Sequence, residues 1–386
     1  GHAQRQVPAH QLGRDGRRAG DEETGVVDAD QLAQASRELS WWLAGLTVLA
    51  DWIGSNQDYF PYEDKELPLD AYRERAQAQA EGACASIGVL PVHSRATGSF
   101  MDLFPGLLHP SPLQSWAANT PLDHGPQIHL LEDVTGAGKT EAAMMLTHRL
   151  MASGVAEGFF IGLPTMATAN AMYGRLSTFY ARLFEGQASL VLATGQRELV
   201  ESFAASVLAS GPVEQDPSQE DDSASARCTA WLADHNKRAL LAPAGVGTID
   251  QALMGVLQGK HQSLRLLGLL RKVLIVDEVH ACDAYMQGVL ERLLQAHASV
   301  GGSAILLSAT LPERMKSALL GAFAAGCGQP APRLPDGTAY PLVTSWSASQ
   351  ATHVATHATD TRPDVVRTVQ IRYISDVGEV VSGILQ

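Results

Sequence analysis

The stretch His129 to Glu141, which reads HLLEDVTGAGKTE, constrains the fold of this chain more than any other. An apolar run at 128–131 leads into a glycine-containing turn, and the turn leads into AAMMLTHRLM, which is rich in helix formers. Strand, loop and helix in this order predict a P-loop, in which backbone N–H groups surround the phosphates of a nucleotide. The alternative is a chance glycine-rich turn between a strand and a helix.

The P-loop interpretation gives the residues of TGAGKT distinct roles. The Lys139 ammonium reaches the β- and γ-phosphates, and the Thr140 hydroxyl holds Mg²⁺. The general P-loop pattern has a glycine where this chain has Asp133, whereas the helicase form TGxGKT fits completely. The predicted nucleotide-binding residues of the loop are Thr135, Gly136, Ala137, Gly138, Lys139 and Thr140.

A second motif follows the β-branched apolar run 272–276, which predicts a buried parallel strand. The run ends in Asp277 and Glu278, followed by Val279 and His280. An Asp at the carboxyl end of such a strand lies beside the P-loop of an open α/β sheet, where it can hold Mg²⁺ through water. The adjacent Glu can orient the attacking water. Two buried carboxylates without a cation would be costly in free energy. The alternative to a cation site is therefore that this end of the strand is solvated.

Composition indicates an ordinary globular protein and excludes some classes of site. The 28 basic and 41 acidic residues give a net charge of −13, the wrong sign for simple electrostatic binding of nucleic acid. An acidic protein can still bind phosphates through backbone N–H groups and helix N-termini.

The four cysteines form no CxxC pair, which argues against zinc knuckles and disulfides and predicts a cytoplasmic location. No apolar stretch is long enough to span a membrane, so no membrane partner is predicted.

The order of predicted elements indicates an α/β protein. Strands alternating with helices after residue 89 predict a parallel sheet with right-handed crossovers. Residues 1–30 are polar and glycine-rich, and we expect loop or disorder there. Within 31–56 apolar residues recur at helical spacing, which predicts a helix with Asp51 at its end. A second helix is predicted over 70–87, so a small all-α segment precedes the sheet. The chain begins with Gly and stops in mid-pattern, so we expect it to be part of a longer protein.

Four isolated polar residues each have two interpretations. Gln114 precedes the P-loop, where a Gln commonly reads the adenine edge, but it could be an ordinary surface residue. Thr165 and Thr248 each follow a predicted strand and open a helix, so each could hold a nucleic-acid phosphate or simply cap the helix. Asp51 is more often a helix-end or tertiary hydrogen-bond partner than a metal ligand.

The motifs TGAGKT, DEVH and SAT occur in this order and resemble the first RecA-like lobe of a superfamily-two helicase. The stretches LPTMATANAMYGRL, LLAPAGVGTIDQALMGVL, KHQSLRLLGLLRKVLIVDEVHACDAYM and LLSATLP resemble the CRISPR-associated helicase-nuclease of type I systems more closely. LAGLTVLADWIGSN further resembles the end of the HD nuclease domain of that family. The resemblance therefore extends over most of the chain.

This resemblance implies a function, cofactors and partners. It implies an ATP-dependent single-stranded DNA translocase or helicase that is recruited by a Cascade-type effector complex and that unwinds and degrades target DNA. ATP and Mg²⁺ serve the helicase, and a divalent transition metal serves the HD nuclease. The implied roles are adenine contact for Gln114; catalysis for Lys139, Asp277 and Glu278; Mg²⁺ binding for Thr140 and Asp277; DNA contact for Thr165 and Thr248; coupling for His280, Ser308 and Thr310; and nuclease metal binding for Asp51.

The resemblance also implies a division into domains. Residues 31–88 correspond to the C-terminal part of a helical HD-type nuclease domain, and residues 89–325 to the first RecA-like lobe. Residues 326–386 are predicted as a loop-rich linker and the beginning of a second RecA-like lobe, with a strand from Thr368.

Two departures from the family pattern limit the expected activity. No His in the chain is followed by Asp, so the HD dipeptide is missing, and one carboxylate cannot hold a catalytic metal pair. The arginine-bearing motif of the second lobe is not in the chain either. We therefore expect the chain alone to be weakly active or inactive. The alternatives are a nucleotide-binding or regulatory lobe without turnover, and another superfamily-two translocase acting on DNA or RNA.

Overall fold

The computed structural model describes residues 29–62, 66–96, 98–186, 188–193, 239–259, 261–337, 339–361 and 373. The chain divides into two units, residues 1–40 and residues 41–386. In the first unit, residues 29–40 form the beginning of a helix. Most of the predicted N-terminal loop and the strand predicted from Thr368 lie outside the described residues.

The described helices and strands alternate along most of the chain. The helices are α1 (Ala29–Gly54), α2 (Leu69–Ile87), α3 (Phe100–Leu103), α4 (Pro112–Asn119), α5 (Lys139–Ala152), α6 (Met166–Ser177), α7 (Ile249–Leu253), α8 (Gln262–Leu269), α9 (Ala284–Ser299) and α10 (Glu313–Gly326). The strands are β1 (Gln127–Glu132), β2 (Gly158–Leu163), β3 (Leu190–Ala193), β4 (Ala244–Thr248), β5 (Lys272–Val276), β6 (Ser303–Ser308), β7 (Leu342–Ser347) and β8 (Ala355–Ala358).

The strands form one eight-stranded sheet in the order β3-β4-β2-β5-β6-β1-β7-β8. The first six strands of this order pair in parallel, whereas β7 is antiparallel to β1 and β8 is antiparallel to β7. Every residue of β1, β2, β4, β5 and β6 is buried, as expected for parallel strands that are covered on both faces. The prediction of an α/β fold with a parallel sheet and flanking helices is confirmed.

Alternate residues of β1 contribute to the two cores of the sheet. Ile128 and Leu130 belong to the core that contains the apolar faces of α9 and α10. Leu131 belongs to the opposite core, which contains the apolar face of α5. Because side chains alternate along a strand, β1 joins both layers and carries the P-loop at its carboxyl end.

The region from residue 326 was predicted as a loop-rich linker, but it contains two strands. Strands β7 and β8 extend the sheet of the preceding domain, with Gln127 opposite Ser347 and Leu130 opposite Thr344. Val343 and Trp346 are buried, whereas β8 is exposed along its whole length. The physical reason is tertiary, because β1 supplies the hydrogen-bond partners of β7, and β7 in turn pairs with β8.

The helical segment from Trp41 onward has a small core of its own. Leu49 and Ile53 of α1 are buried with Ala83 and Ile87 of α2 and with Leu264 of α8. Within the described ranges, no helix combines the length and apolar character that crossing a membrane requires.

Candidate nucleotide-binding site

The loop between β1 and α5 has the backbone geometry of a phosphate-binding loop. Gly136 and Gly138 have φ of 84° and 90°, a left-handed conformation that glycine adopts without steric cost. Asp133, which replaces the glycine of the general pattern, has a different role. Its carboxylate accepts a hydrogen bond from the Val134 N–H at 2.7 Å, and its own N–H donates to the Ser308 carbonyl at 3.3 Å.

The Lys139 side chain lies inside this loop. Its Nζ donates to the carbonyl oxygens of Asp133 at 2.6 Å and of Val134 at 2.9 Å. Burial lowers the pKa of Lys139, and the nearby carboxylates of Glu278 and Asp277 act in the opposite direction. The ammonium group is therefore buried beside two carboxylates from a separate segment of the chain.

An open cavity of about 440 Å³ brings the predicted nucleotide site together. Several separate segments reach it, among them the P-loop, the end of β5, α4 and α6. The predicted residues that line it are Gln114, Thr135, Gly136, Gly138, Lys139, Thr140, Asp277 and Glu278. Ala137 is fully buried and is not part of this lining.

The two acids after β5 differ in environment. Burial is the main cause that raises the pKa of Asp277, and the neighbouring Glu278 carboxylate raises it further. The Glu278 N–H donates to Asp277 Oδ1 at 2.9 Å. Glu278 has φ of 53°, and backbone strain of this kind in a non-glycine residue is common at functional sites.

The residues around Asp277 fit a Mg²⁺ ion. The Asp277 carboxylate is half-buried, and its burial disfavours the charged form more than the nearby Lys139 and Arg175 cations favour it. The Asp277 carboxylate and the Thr140 hydroxyl are oxygen donors, which Mg²⁺ prefers. Both residues line the cavity, so Mg²⁺ bound with nucleotide would add positive charge that favours the ionised form of this carboxylate.

The three predicted coupling residues form one chain of contacts that starts at Glu278. His280 Nδ1 lies 3.3 Å from Glu278 Oε2 and 3.0 Å from Ser308 Oγ. Ser308 Oγ donates to the Thr310 carbonyl at 2.9 Å. The structure therefore brings DEVH and SAT into direct contact.

Glu132 adds a second link to the SAT segment, one that the sequence analysis missed. Its Oε1 accepts a hydrogen bond from the Leu311 N–H at 2.8 Å, and its Oε2 forms an ion pair with Lys316 Nζ at 2.6 Å. Glu132 ends β1 and Leu311 follows Thr310, so this buried carboxylate connects the P-loop strand to the segment after SAT. The available signal was an acidic residue directly after Leu130 and Leu131, at the predicted end of the strand.

Arg175 and Glu141 were also missed. Glu141 follows Thr140 on α5 and forms an ion pair with Arg175 of α6, and both line the cavity. Both residues lie in stretches that the sequence analysis quotes, but neither was given a role there. Only the packing of α6 beside the P-loop reveals their position.

Gln114 is not an ordinary surface residue. It is 2% exposed, and its Oε1 accepts a hydrogen bond from the Ser111 N–H at 2.8 Å in a capping box at the start of α4. Its Nε2 donates to the Gly138 carbonyl at 3.3 Å. Both ends of the amide contact the protein, and one of them contacts the P-loop. The adenine contact stays a prediction.

The two threonines that were predicted to contact DNA have different hydrogen bonds in the structure. Thr165 is the N-cap of α6, where its hydroxyl accepts a hydrogen bond from the Thr168 N–H at 3.2 Å. Thr248 ends β4 and precedes α7, but its buried side chain makes no capping hydrogen bond. The capping alternative therefore describes Thr165 and not Thr248, and the DNA contact stays a prediction for both.

Asp51 is exposed on α1. In the part of the chain that the structure describes, no group of three or more His, Cys, Asp and Glu side chains could hold a metal ion. The described residues therefore form no such metal-binding group around Asp51.

A larger cavity of about 750 Å³ lies between α4 and strands β1, β7 and β8. His129 lines it, fully buried, and burial lowers the pKa of this imidazole to about 4. None of the predicted site residues lines this cavity. The left-handed glycines and the charged side chains that fit a nucleotide belong to the smaller cavity.

Comparisons with known proteins agree with the motifs. Residues 4–60 match the family described as "Cas3, HD domain". The CRISPR-associated endonuclease/helicase Cas3 of Escherichia coli (strain K12) is 38% identical over 306 residues, which cover 78% of this chain and 33% of the relative.

This chain is similar to part of Cas3.

Solved Cas3 structures share the fold. The crystal structure of T. fusca Cas3-ATP matches with a TM-score of 0.69 and 32% identity, over 83% of this chain and 35% of that chain. A chain of the structure named "CRISPR RNA-guided surveillance complex, pre-nicking" matches with a TM-score of 0.58 and 30% identity, over 90% of this chain and 36% of that chain. The resemblance to CRISPR-associated helicase-nucleases is confirmed, and this chain spans about a third of the length of the Cas3 relatives.

Proposed function

We propose that residues 89–325 are the ATP-binding first RecA-like lobe of a Cas3-type DNA helicase, with β7 and β8 extending its sheet. The observation that carries this proposal is the meeting of Lys139, Asp277 and Glu278 over a loop with two left-handed glycines. Residues 31–88 would belong to an HD-type nuclease domain. The match of residues 4–60 to the Cas3 HD family supports that assignment.

The side chains of the cavity have distinct roles in this proposal. Lys139 exchanges its two loop carbonyls for β- and γ-phosphate oxygens, and Glu278 orients the attacking water. Thr140 and Asp277 would hold Mg²⁺, which neutralises charge on the phosphates when it is bound. The chain of contacts from Glu278 through His280 to Ser308 and Thr310 couples this chemistry to movement of the lobe.

Single-stranded DNA is the proposed substrate. Thr165 follows β2 and Thr248 ends β4, and these two parallel strands are neighbours in the sheet, so their carboxyl ends lie side by side. The N–H groups at the start of α6 and the Thr248 hydroxyl, which makes no capping hydrogen bond, would bind backbone phosphates there. We further propose a cytoplasmic location and a Cascade-type partner, which the similarity to a chain of a CRISPR surveillance complex supports.

The nuclease part of the proposal concerns Asp51. In the complete protein, Asp51 would be one ligand of a divalent transition metal in the HD domain. Its position within the region that matches the Cas3 HD family supports this assignment.

A phosphate-release assay tests the ATPase proposal. In two-lobe helicases, arginines of the second lobe stabilise the developing charge on the γ-phosphate, a contribution on the order of 10³ or more in rate. We therefore expect the 386-residue chain to bind ATP but to release phosphate barely faster than its Lys139→Ala variant, with or without single-stranded DNA. Robust DNA-stimulated release would show that a catalytic arginine acts from within this chain or from a second copy.

A further inference from the structure

The charges that line the nucleotide cavity include one basic residue with no assigned role. Among the described lining residues, Lys139 and Arg175 are basic, whereas Glu141, Asp277 and Glu278 are acidic. Lys139 and the two acids of DEVH belong to the proposed ATPase chemistry. Arg175 and Glu141 remain, and the following inference about them rests on the proposed function.

Helix α6 lies along the cavity with one face. Thr168, Ala171, Met172 and Arg175 all line it, at the spacing of residues on one side of a helix. The position of Arg175 therefore follows from how α6 packs beside the P-loop. Its side chain is 48% exposed, which leaves it accessible to a molecule in the cavity.

Glu141 holds the Arg175 guanidinium in place. The contact joins Arg175 Nη2 and Glu141 Oε1, and the Glu141 side chain is only 11% exposed. No other side-chain hydrogen bond or ion pair of Arg175 occurs among the described residues. A guanidinium carries five N–H donors in a fixed fork, so several of them stay available for a second acceptor.

The position of Glu141 makes this pair relevant to phosphate. Glu141 directly follows Thr140, at the end of the loop whose N–H groups would surround the phosphates. A carboxylate there repels a polyphosphate unless a cation neutralises it. Phosphate oxygens are themselves good acceptors for an Arg fork, so a bound nucleotide competes with Glu141 for the same guanidinium.

We propose that Arg175 is a second cationic ligand of the nucleotide phosphates, which Glu141 holds beside the cavity and shares with the bound nucleotide. The competing possibility is that Arg175 and Glu141 form an ion pair that only joins α6 to α5, in which case Arg175 makes no contact with nucleotide. The two possibilities differ in what happens when Glu141 loses its charge.

A double-mutant cycle separates them. The affinities of Mg-ATP and of AMP are measured by calorimetry for the wild type, Arg175→Gln, Glu141→Gln and the double variant. We expect Arg175→Gln to weaken Mg-ATP binding about tenfold in the wild type, the scale of one charge-assisted contact, and by a larger factor in the Glu141→Gln background, where Glu141 no longer competes for the guanidinium. Glu141→Gln alone should strengthen Mg-ATP binding, because it frees the guanidinium. AMP should respond less, because it has fewer phosphate charges.

The inference is overturned if Arg175→Gln weakens binding in the wild type but has no effect once Glu141 is Gln, since Arg175 would then only neutralise Glu141. Equal affinity of Arg175→Gln and the wild type also overturns it. If Arg175→Gln does not fold, as judged by thermal unfolding, Arg175→Lys is used in the same cycle. It keeps the charge but loses the fork, and unchanged affinity there also counts against the proposal.

Two controls complete the design. Arg271→Gln removes another half-exposed arginine that pairs with a glutamate, Glu157, away from this cavity, and it should leave affinity unchanged. Lys139→Ala reports on the site itself. Absence of ATP binding by the wild type would contradict the proposed function. A loss with Lys139→Ala but not with Arg175→Gln would contradict this inference alone.

Discussion

The P-loop and the segment around Asp51 both resemble sites of one family, but they differ in how many of the expected site residues lie together in the structure. The P-loop residues meet Asp277 and Glu278 over one cavity. Asp51 is exposed, and the described residues contain no group of metal-ligating side chains. One site is assembled within the described chain, whereas the other is represented by a single carboxylate.

The contrast has a physical cause. A phosphate site of this type is made largely of backbone N–H groups, whose directions follow from two left-handed glycines between a strand and a helix. A catalytic metal pair needs several side chains, which in a helical domain come from separate helices. A short motif can therefore encode most of the first site but only one ligand of the second.

The sheet that carries the P-loop and the helix that carries Asp51 also differ in how completely their apolar residues are buried. All residues of β1 and β5 are buried. On α1, Trp42, Leu49 and Ile53 are buried, but Leu43 and Leu46 are 61% and 54% exposed. Helix α1 thus buries one side in the core with α2 and α8, and the described part of the chain leaves the other apolar side open.

The largest effect expected from this comparison is a change in how strongly Mg²⁺ tightens ATP binding at the nucleotide site. If Asp277 holds the ion, Mg²⁺ should tighten ATP binding by the wild type, and Asp277→Asn should remove at least about tenfold of that gain. Glu278→Gln is the matched control, because the proposal gives Glu278 to water rather than to the metal. Calorimetric titrations of ATP with and without Mg²⁺ measure both. An equal Mg²⁺ effect in the two variants would contradict the assigned roles.

The smallest effect is expected at Asp51. Manganese titrated into the 386-residue chain should show no sub-micromolar site that depends on this carboxylate, because the described residues form no metal-binding group around it. Asp51→Ala should therefore titrate like the wild type and like Asp58→Ala, which removes a nearby exposed acid. A tight manganese site that Asp51→Ala abolishes would break the contrast, and residues outside the described ranges would then complete it.

Sequence alone could predict the elements whose signal is local. The strand predicted at 272–276 is β5, and the P-loop helix begins at Lys139. Both have a continuous apolar or helix-forming pattern next to a strong motif. The α/β class follows from the alternation of such segments.

Features that depend on distant partners could not be predicted in this way. Strand β7 exists because it pairs with β1, which lies far away in sequence. The same holds for the site, where Arg175 meets Glu141 and Glu132 meets Leu311 only after the sheet has formed. The capping role of Gln114 is local, but its contact with Gly138 is not.

The central claim is that this cavity binds a nucleotide through the P-loop, and Lys139→Ala tests it most directly. The substitution removes the ammonium that lies inside the loop and leaves the left-handed glycines unchanged, so the fold should persist, as thermal unfolding would show. We predict that the affinity for Mg-ATP, measured by calorimetry, falls at least about tenfold, or about 1.4 kcal/mol. An affinity equal to that of the wild type, in a variant that remains folded, would contradict the account.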